Sequence, residues 1–368
     1  MMRTLSICML MVAAAALIAG CSETDKKNLA NDAGKQAANS AIDAATNQGS
    51  NDGNTGETAE KPPVRKYRFT YNTRIPAGDG TKELRIWVPL AMKDAGVQEV
   101  ADEKIEVMPA GINHKVTTDK WGNRMIYVAV ANPTEEIKIS WSATISRWED
   151  WGQGSLPDND RWKQSDKLIN LDDAKDMVGK LGLEGKDEGD KANVIYADVL
   201  DNMKYDKSGQ AWDPATMTGW GGGSYKHATT VCEGNCTDFH ARFMGIGRAS
   251  GMSVRFTMGI PMKTDAKGTY NSYHCWAHWY NHKTNKWIPV DISEADKVAE
   301  SDPDRAKWFN GHLCCNRLAL SVGRDVTLEP KQKGDALNYF VFPYAEADGK
   351  SVKLAKDANW DFAYENVE

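Results

Sequence analysis

The sequence places one cysteine where its thiol could act as a nucleophile. The segment Gly234–Asp238, GNCTD, leads from a glycine-containing loop into apolar residues at helical spacing that end before Gly251. Cys236 is therefore expected in the first turn of a helix, where backbone N–H groups are unpaired and the dipole is positive. This environment favours the nucleophilic thiolate, and the same N–H groups can bind a developing oxyanion. Taken alone, the segment equally allows a buried or disulfide-bonded cysteine.

A second segment supplies a histidine and a carboxylate. Residues 273–280 read YHCWAHWY and residues 287–291 read WIPVD, with a polar turn between them. Two aromatic-rich runs around a polar turn predict a β-hairpin. If the turn centres near Lys283, His274 lies opposite or diagonal to Asp291 on one face, within side-chain reach. The carboxylate would then orient the imidazole that takes the thiol proton, although a one-residue slip in register would separate the two side chains.

The histidines also allow a metal-site hypothesis. His274, His278 and His282 are spaced i, i+4, i+8, which on a helix would form a stripe of metal ligands. The aromatic and β-branched residues around them favour a strand instead, so we expect neither a metal nor any other cofactor. His278 is then a polar residue beside the site, His282 an exposed turn residue, and His240 a structural residue that could line the cleft.

The elements that must position these residues fall into two parts. From Val64 to about Trp151 hydrophobic residues alternate with period two, which predicts short strands in a small β-sandwich. From about Asn159 the period becomes helical, with one helix expected over 191–203 and another over 237–250. Strands are expected again over 254–259, 273–280 and 287–292, with a glycine-rich loop at 220–223. The fold class predicted for the second part is α+β.

The N-terminal residues predict export. Arg3 precedes an apolar run, Leu5 to Ala19, that is too short to span a bilayer permanently. The run ends Ile18-Ala19-Gly20-Cys21, which resembles a bacterial lipobox and implies cleavage before Cys21 and diacylation of its sulfur. Ser22, rather than Asp, favours the outer membrane, with the chain facing the periplasm. An ordinary cleaved signal is the alternative. From residue 22 to about residue 63 the chain has no aromatic residue, which predicts a flexible tether.

Composition and cysteine count bear on the class of partner and on the oxidation state of the thiols. The 368 residues are 41% hydrophobic with thirteen Trp, enough for a sizeable core, and the formal net charge of −6 excludes the basic face that nucleic acid requires. Of seven Cys, Cys8 lies in the signal and Cys21 is the lipid site. The five that remain are an odd number, so an oxidising compartment leaves at least one thiol free. Cys232, Cys275, Cys314 and Cys315 could form up to two disulfides, of unknown pairing, that leave Cys236 free.

Taken together, these motifs resemble a known family. GNCTDFH, GMSVRFTMG, YHCWAHWY and WIPVDISEAD are similar to the transglutaminase-like (papain-like) cysteine superfamily, and within it to bacterial exported proteins with a transglutaminase-like domain. The resemblance covers roughly residues 65–350. It implies Cys236 as nucleophile, His274 as general base and acid, and Asp291 as the orienting carboxylate. Cys275 departs from the pattern, because a small residue is usual there, and so does His278, where an acidic residue is frequent.

The resemblance implies an envelope-anchored thiol enzyme that acts on amide bonds, with hydrolysis favoured over acyl transfer to an amine. Its substrate would be a protein or peptide, peptidoglycan peptide included, and it would contact the membrane through the lipid anchor. The Cys236 N–H is the expected oxyanion donor, with Trp220 or another residue of the glycine-rich loop as a second. The alternative is a non-catalytic peptide-binding or scaffolding module of the same fold. The predicted organisation is a signal over 1–20, a tether over 21–64, a β-sandwich over 65–151, a transglutaminase-like domain over 152–350 and a C-terminal tail over 351–368.

Overall fold

The computed structural model describes residues 61–270 and 272–367, and within these ranges strands dominate. The strands are Val64–Ile75 (β1), Glu83–Pro89 (β2), Gln98–Met108 (β3), His114–Thr118 (β4), Arg124–Ala131 (β5), Ile137–Trp148 (β6), Lys204–Tyr205 (β7), Glu233–Gly234 (β8), Val254–Pro261 (β9), Lys267–Tyr270 (β10), His274–Asn281 (β11), Lys286–Val290 (β12), Arg317–Val322 (β13), Tyr344–Ala347 (β14), Lys350–Ser351 (β15) and Trp360–Asn366 (β16). The α-helices are Lys175–Lys180 (α1), Glu188–Asn202 (α2), Tyr225–Thr230 (α3), Cys236–Ala249 (α4), Ile292–Val298 (α5) and Pro303–Trp308 (α6). Short 3₁₀ helices cover Asp160–Lys163 and Leu171–Ala174.

Two antiparallel five-stranded sheets share a buried core and form the predicted sandwich. Their strand orders are β10-β16-β1-β6-β3 and β15-β14-β2-β5-β4. Burial alternates along β1, so that Tyr67, Phe69 and Tyr71 are fully buried while the residues between them are partly exposed. The same apolar cluster includes Leu84 and Ile86 from the second sheet. The period-two pattern read from the sequence therefore produces strands with one face toward a common core.

The C-terminal residues correct one expectation. Residues 351–368 were expected to form a tail, but β16 lies between β10 and β1, with Phe362 opposite Tyr71. The physical reason is an alternation in which Trp360, Phe362 and Tyr364 point into the core. The strand β14 likewise pairs with β2, so residues on both sides of the expected 350/351 boundary complete the sandwich. The other expected boundaries stay predictions.

A four-stranded antiparallel sheet, in the order β12-β11-β9-β13, carries the second part of the chain. Helix α4 packs against β11 and β9, and nearly every residue of this helix is buried. The predicted helices over 191–203 and 237–250 correspond to α2 and α4, and the predicted α+β class is confirmed. The expected strands at 254–259, 273–280 and 287–292 are β9, β11 and β12, although the last strand stops at Val290 and α5 follows.

The expectations for the N-terminus fall largely on residues that the structure does not describe. The signal over 1–20, Cys21 and the tether up to residue 60 lie outside the described residues, and β1 begins at Val64. No helix in the described ranges has the length and apolar character that crossing a membrane requires.

Candidate active site

Cys236 is the first residue of α4, as the sequence predicts. Asn235 is the N-cap, and its side-chain oxygen accepts a hydrogen bond from the Thr237 N–H at 2.9 Å. Asp238 completes a capping box by accepting from the Asn235 N–H at 2.9 Å. The thiol therefore lies at a helix N-terminus that is fixed by the Asn235 and Asp238 side chains. The Cys236 residue is 3% exposed, so its sulfur is buried at the base of the site.

The Asp238 carboxylate also holds the glycine-rich loop, a function that the sequence analysis missed. The Gly221 N–H donates to Asp238 Oδ2 at 2.7 Å and the Gly223 N–H donates to Oδ1 at 3.0 Å. A Cβ at Gly234 would lie 2.4 Å from Asp238 Oδ2, so only glycine lets the chain pass this carboxylate on its way to Cys236. One fully buried side chain thus fixes the loop and the helix start relative to each other.

His274 and Asp291 meet across the predicted hairpin. In the observed register Ala277 lies opposite Val290, which places Asp291 diagonal to His274. His274 Nε2 lies 2.6 Å from Asp291 Oδ2, and both residues are buried. Asp291 ends the hairpin as the N-cap of α5, where its Oδ1 accepts from the Glu294 N–H at 3.1 Å. The capping hydrogen bond therefore fixes the position of the carboxylate that contacts the imidazole.

Arg317, on strand β13 of the same sheet, is another partner of this carboxylate. Its Nη2 lies 2.6 Å from Asp291 Oδ2, and the side chains of both residues are almost completely buried. Burial opposes ionisation of Asp291, but the charges of His274 and Arg317 hold the pKa of this carboxyl well below its usual range. The carboxylate is therefore ionised when it faces the imidazole. The contact between Arg317 and Asp291 was not predicted from the sequence.

The thiol and the imidazole shift each other's protonation. Hydrogen bonds from the side chains of Cys275 and His274 hold the pKa of the Cys236 thiol well below its ordinary value, although burial acts in the opposite direction. Burial opposes the charged form of His274, but the Asp291 carboxylate raises the pKa of this imidazole to about 9. Both shifts favour a thiolate beside an imidazolium.

Cys275 lies beside Cys236. Its sulfur is 3.6 Å from His240 Nδ1, and the same nitrogen is 2.7 Å from the Cys236 carbonyl oxygen. Because His240 is fully buried, it ties the start of α4 to β11 as a structural residue. Burial, together with the hydrogen bond to Cys236, raises the pKa of the Cys275 thiol well above its ordinary value.

The three histidines of the metal hypothesis bind three different carboxylates. His274 faces Asp291, His278 Nε2 lies 2.9 Å from Asp150 Oδ2, and His282 contacts Glu188. They lie on a strand and in the following turn rather than on a helix, so the proposed ligand stripe does not form. In the part of the chain that the structure describes, no group of three His, Cys, Asp or Glu side chains is arranged to hold a metal ion.

His278 differs from the expectation of a polar residue beside the site. It is buried, and its partner Asp150 lies just beyond the end of β6, in the first part of the chain. Burial and the nearby Arg255 charge lower the pKa of His278 to about 4, so this imidazole is neutral at physiological pH. His282 is half-exposed in the turn, as expected.

Trp220 was expected as a second oxyanion donor, and its indole N–H has a partner in the structure. The Trp220 indole N–H donates to the Gly209 carbonyl at 2.8 Å, so this donor is engaged within its own loop. Beside the helix start, the Asn235 side-chain amide donates to the Tyr273 hydroxyl at 2.9 Å.

All five cysteines in the described ranges, Cys232, Cys236, Cys275, Cys314 and Cys315, are free thiols.

Comparison with known proteins agrees with this geometry. Residues 175–292 match the sequence model of the Transglutaminase-like superfamily. An "Uncharacterized protein" of Haemophilus influenzae is 29% identical over 345 residues, which is 81% of this chain and 90% of that protein. A crystal structure of a "Putative Cysteine Protease" from Cytophaga hutchinsonii is similar in fold, with a TM-score of 0.54 and 14% identity over 83% of this chain and 92% of that one.

These findings confirm the predicted papain-like or transglutaminase-like fold class. The matched region contains the start of α4, the hairpin and Asp291, which are the elements that the sequence motifs had singled out. Residues 175–292 of this chain therefore carry the sequence pattern of the transglutaminase-like superfamily.

Proposed function

We propose that this chain is a thiol enzyme that acts on amide bonds through a triad of Cys236, His274 and Asp291. The observation that carries the proposal is the 2.6 Å contact between His274 and the buried, ionised Asp291, together with the lowering of the Cys236 pKa by the same imidazole. A nucleophile, a base and a group that orients the base are the parts that acyl transfer needs. The superfamily of the core supports the same reaction class.

In this mechanism the Cys236 thiolate attacks the carbonyl carbon of a bound amide, and a carbon–sulfur bond forms. The Cys236 N–H, at the first position of α4, stabilises the negative oxygen of the tetrahedral intermediate, because the Thr237 N–H already donates to Asn235. His274, already protonated, gives its proton to the departing amine, which leaves an acyl-enzyme. Neutral His274 then takes a proton from water, which attacks the thioester carbonyl. The carbon–sulfur bond breaks, the carboxylic acid departs, and the Cys236 thiolate and the His274 imidazolium are restored.

The proposed mechanism includes a second hydrogen-bond donor to the negative oxygen of the tetrahedral intermediate. The indole N–H of Trp220 is engaged with Gly209, so another side chain is the better candidate. The Tyr273 hydroxyl accepts from Asn235 and keeps its own proton to donate. Burial and the neighbouring Tyr339 hold the pKa of Tyr273 well above its ordinary value, so this proton stays in place at neutral pH.

We also propose that the chain is exported and held at the outer membrane through a lipid on Cys21. The support is the apolar run that ends in Ala19-Gly20-Cys21, followed by Ser22. Two or three acyl chains anchor a protein stably, whereas one chain binds only marginally. Metabolic labelling with a radioactive fatty acid should mark the wild-type protein. A Cys21→Ala variant should lose the label and leave the membrane fraction.

The experiment that tests the enzymatic proposal is labelling with a peptidyl vinyl sulfone, an electrophile directed at catalytic thiols. We expect one adduct per chain at Cys236, and we expect no adduct after Cys236→Ala or His274→Ala. Cys314→Ser is the matched control, because it removes another free thiol and should leave labelling unchanged. An adduct confined to other cysteines would contradict the proposal.

Turnover assays identify the substrate and show whether water or an amine is the acyl acceptor. Peptidoglycan peptides and a denatured protein are offered with and without a fluorescent alkylamine, and the products are identified by mass spectrometry. New carboxylates would indicate hydrolysis, which we propose, and incorporated amine would indicate transfer. Peptide binding that survives Cys236→Ala, with no turnover in the wild type, would instead identify a non-catalytic binding module.

A further inference from the structure

The site contains a second buried thiol that the proposed acyl transfer does not use. Cys275 occupies the position after His274, its sulfur lies 3.6 Å from His240 Nδ1, and its side chain lowers the pKa of the Cys236 thiol. Both residues are buried and neither is part of a disulfide. Two buried free thiols on neighbouring elements of a nucleophile site are a candidate for reversible oxidation.

The backbone geometry holds the two sulfurs together. Cys275 lies on β11 and Cys236 begins α4, and these two elements pack directly against each other. The His240 ring bridges them, because its Nδ1 is 2.7 Å from the Cys236 carbonyl oxygen and 3.6 Å from the Cys275 sulfur. A disulfide needs Cβ atoms about 3.5–4.5 Å apart, and the direct packing of the two elements around His240 brings the two residues toward that spacing.

We propose that Cys236 and Cys275 form a peroxide-responsive pair, in which Cys236 is oxidised and Cys275 resolves it as an intramolecular disulfide. The oxidant is a hydroperoxide, with hydrogen peroxide as the smallest member of the class. The disulfide removes the nucleophile while it lasts, and it shields the Cys236 sulfur from irreversible oxidation to sulfinic acid.

The oxidation of Cys236 and the formation of the disulfide take place in two steps. The Cys236 thiolate attacks one peroxide oxygen, so that a sulfur–oxygen bond forms and the oxygen–oxygen bond breaks. The hydroxide that leaves takes a proton from the His274 imidazolium, so sulfur is oxidised to a sulfenic acid and peroxide is reduced to water. The Cys275 sulfur then attacks the Cys236 sulfur, the sulfur–oxygen bond breaks, and the departing hydroxide leaves as water with the Cys275 proton.

The other free thiols have different surroundings. Cys232 is only partly buried, and its sulfur faces the Thr229 carbonyl and the Arg242 guanidinium. Cys314 and Cys315 are adjacent in sequence and partly exposed. Adjacent cysteines bond to each other only with strain, so these thiols serve as internal controls for non-specific oxidation.

The test is mass spectrometry of the full chain after treatment with hydrogen peroxide and digestion without reductant. We expect a cross-linked peptide pair that joins Cys236 to Cys275, and we expect dithiothreitol to restore both thiols. In Cys275→Ala, Cys236 should instead gain two oxygens as a sulfinic acid that dithiothreitol does not reverse. Cys275→Ser serves as a second variant, and circular dichroism checks that both fold.

Cys232→Ser and Cys314→Ser should leave the cross-link unchanged. Equal rates of sulfinic acid formation at Cys236 in the wild type and Cys275→Ala would overturn the proposal, and so would a cross-link from Cys236 to any other cysteine. The mapping uses no substrate, so it stands whether or not amide turnover is found. Only the accompanying reversible loss of turnover depends on the proposed function.

Discussion

Asp291 faces His274 diagonally across the hairpin at 2.6 Å and at the same time caps the helix α5. The turn explains how this register is fixed, because the Asn281 side-chain oxygen accepts from the Lys283 and Thr284 N–H groups. Five paired positions separate the turn from the end of the hairpin, so a slip at the turn would move Asp291 away from the imidazole. The turn and the cap therefore hold the two ends of one short strand, and the carboxylate is positioned by both.

Replacing Asp291 with asparagine should separate its electrostatic contribution from its capping contribution. Asn is about as good an N-cap as Asp, so α5 should persist, while the charge that raises the pKa of His274 is lost. We expect kcat for amide turnover to fall on the order of 10²- to 10⁴-fold. Asp302→Asn is the control, because Asp302 caps α6 with the same geometry and should leave kcat unchanged. An undiminished kcat in Asp291→Asn would contradict the proposed triad.

The thiolate–imidazolium pair predicts an unusual pH profile. Because the pKa of Cys236 is held well below its ordinary value, iodoacetamide should alkylate it at about pH 6, where a free thiol of pKa about 8.5 is almost fully protonated. On the alkaline side kcat/KM should fall as the pH rises through about 9, where His274 loses the proton that the leaving amine needs. Alkylation rates against pH, with glutathione as reference, check the first point. A rate that follows glutathione would argue against the ion pair.

Arg317 should act as a positioning residue through Asp291. Its charge opposes protonation of His274, so Arg317→Gln should move the alkaline limb of kcat/KM to higher pH. Removing one partner of a buried pair costs up to about 3–5 kcal/mol of unfolding free energy, and His274 remains to offset part of this cost. Arg85→Gln is the matched control, since Arg85 pairs with the buried Glu346 at 3.1 Å within the sandwich. Both variants should lose stability, whereas a shift of the limb in both, or in neither, would contradict this assignment.

The sequence predicted the parts of the site that local patterns determine. Cys236 at a helix start follows from a capping segment, and the pairing of His274 with Asp291 follows from one hairpin and its turn. The contacts that were missed join residues that no single helix or hairpin connects. Arg317 reaches Asp291 from another strand, Asp238 holds Gly221 and Gly223, and His278 meets a carboxylate more than a hundred residues away.

The same distinction applies to the fold. The period-two pattern predicted that strands exist, but it carries no information about which distant strand lies beside which. Strand β16 shows this clearly, since its alternation was present in the sequence yet its place beside β1 depends on closing most of the chain into a loop. Cys275 is a similar case, because strand alternation puts its side chain on the face opposite to His274 but does not indicate that the His240 ring of α4 lies there.

His278 makes the stability of the fold depend on pH in a defined direction. Its pKa is about 4 in the folded protein against 6.5 for a free imidazole, so between these values the unfolded chain binds a proton that the folded chain does not. The free energy of unfolding should therefore fall as the pH drops from about 6.5 to about 4, by at most about 3 kcal/mol from this residue. His274 does not contribute in this range, because its raised pKa acts only above 6.5.

Denaturant unfolding of His278→Gln against pH checks this contribution. The variant loses the titrating group but keeps a side-chain N–H for Asp150, so its stability curve should be flatter than that of the wild type between about pH 4 and 6.5. His282→Gln, at a half-exposed turn position, should keep the wild-type slope. Parallel curves for wild type and His278→Gln would mean that this imidazole is charged in the fold, and that Asp150 pairs with a cation across the two parts of the chain.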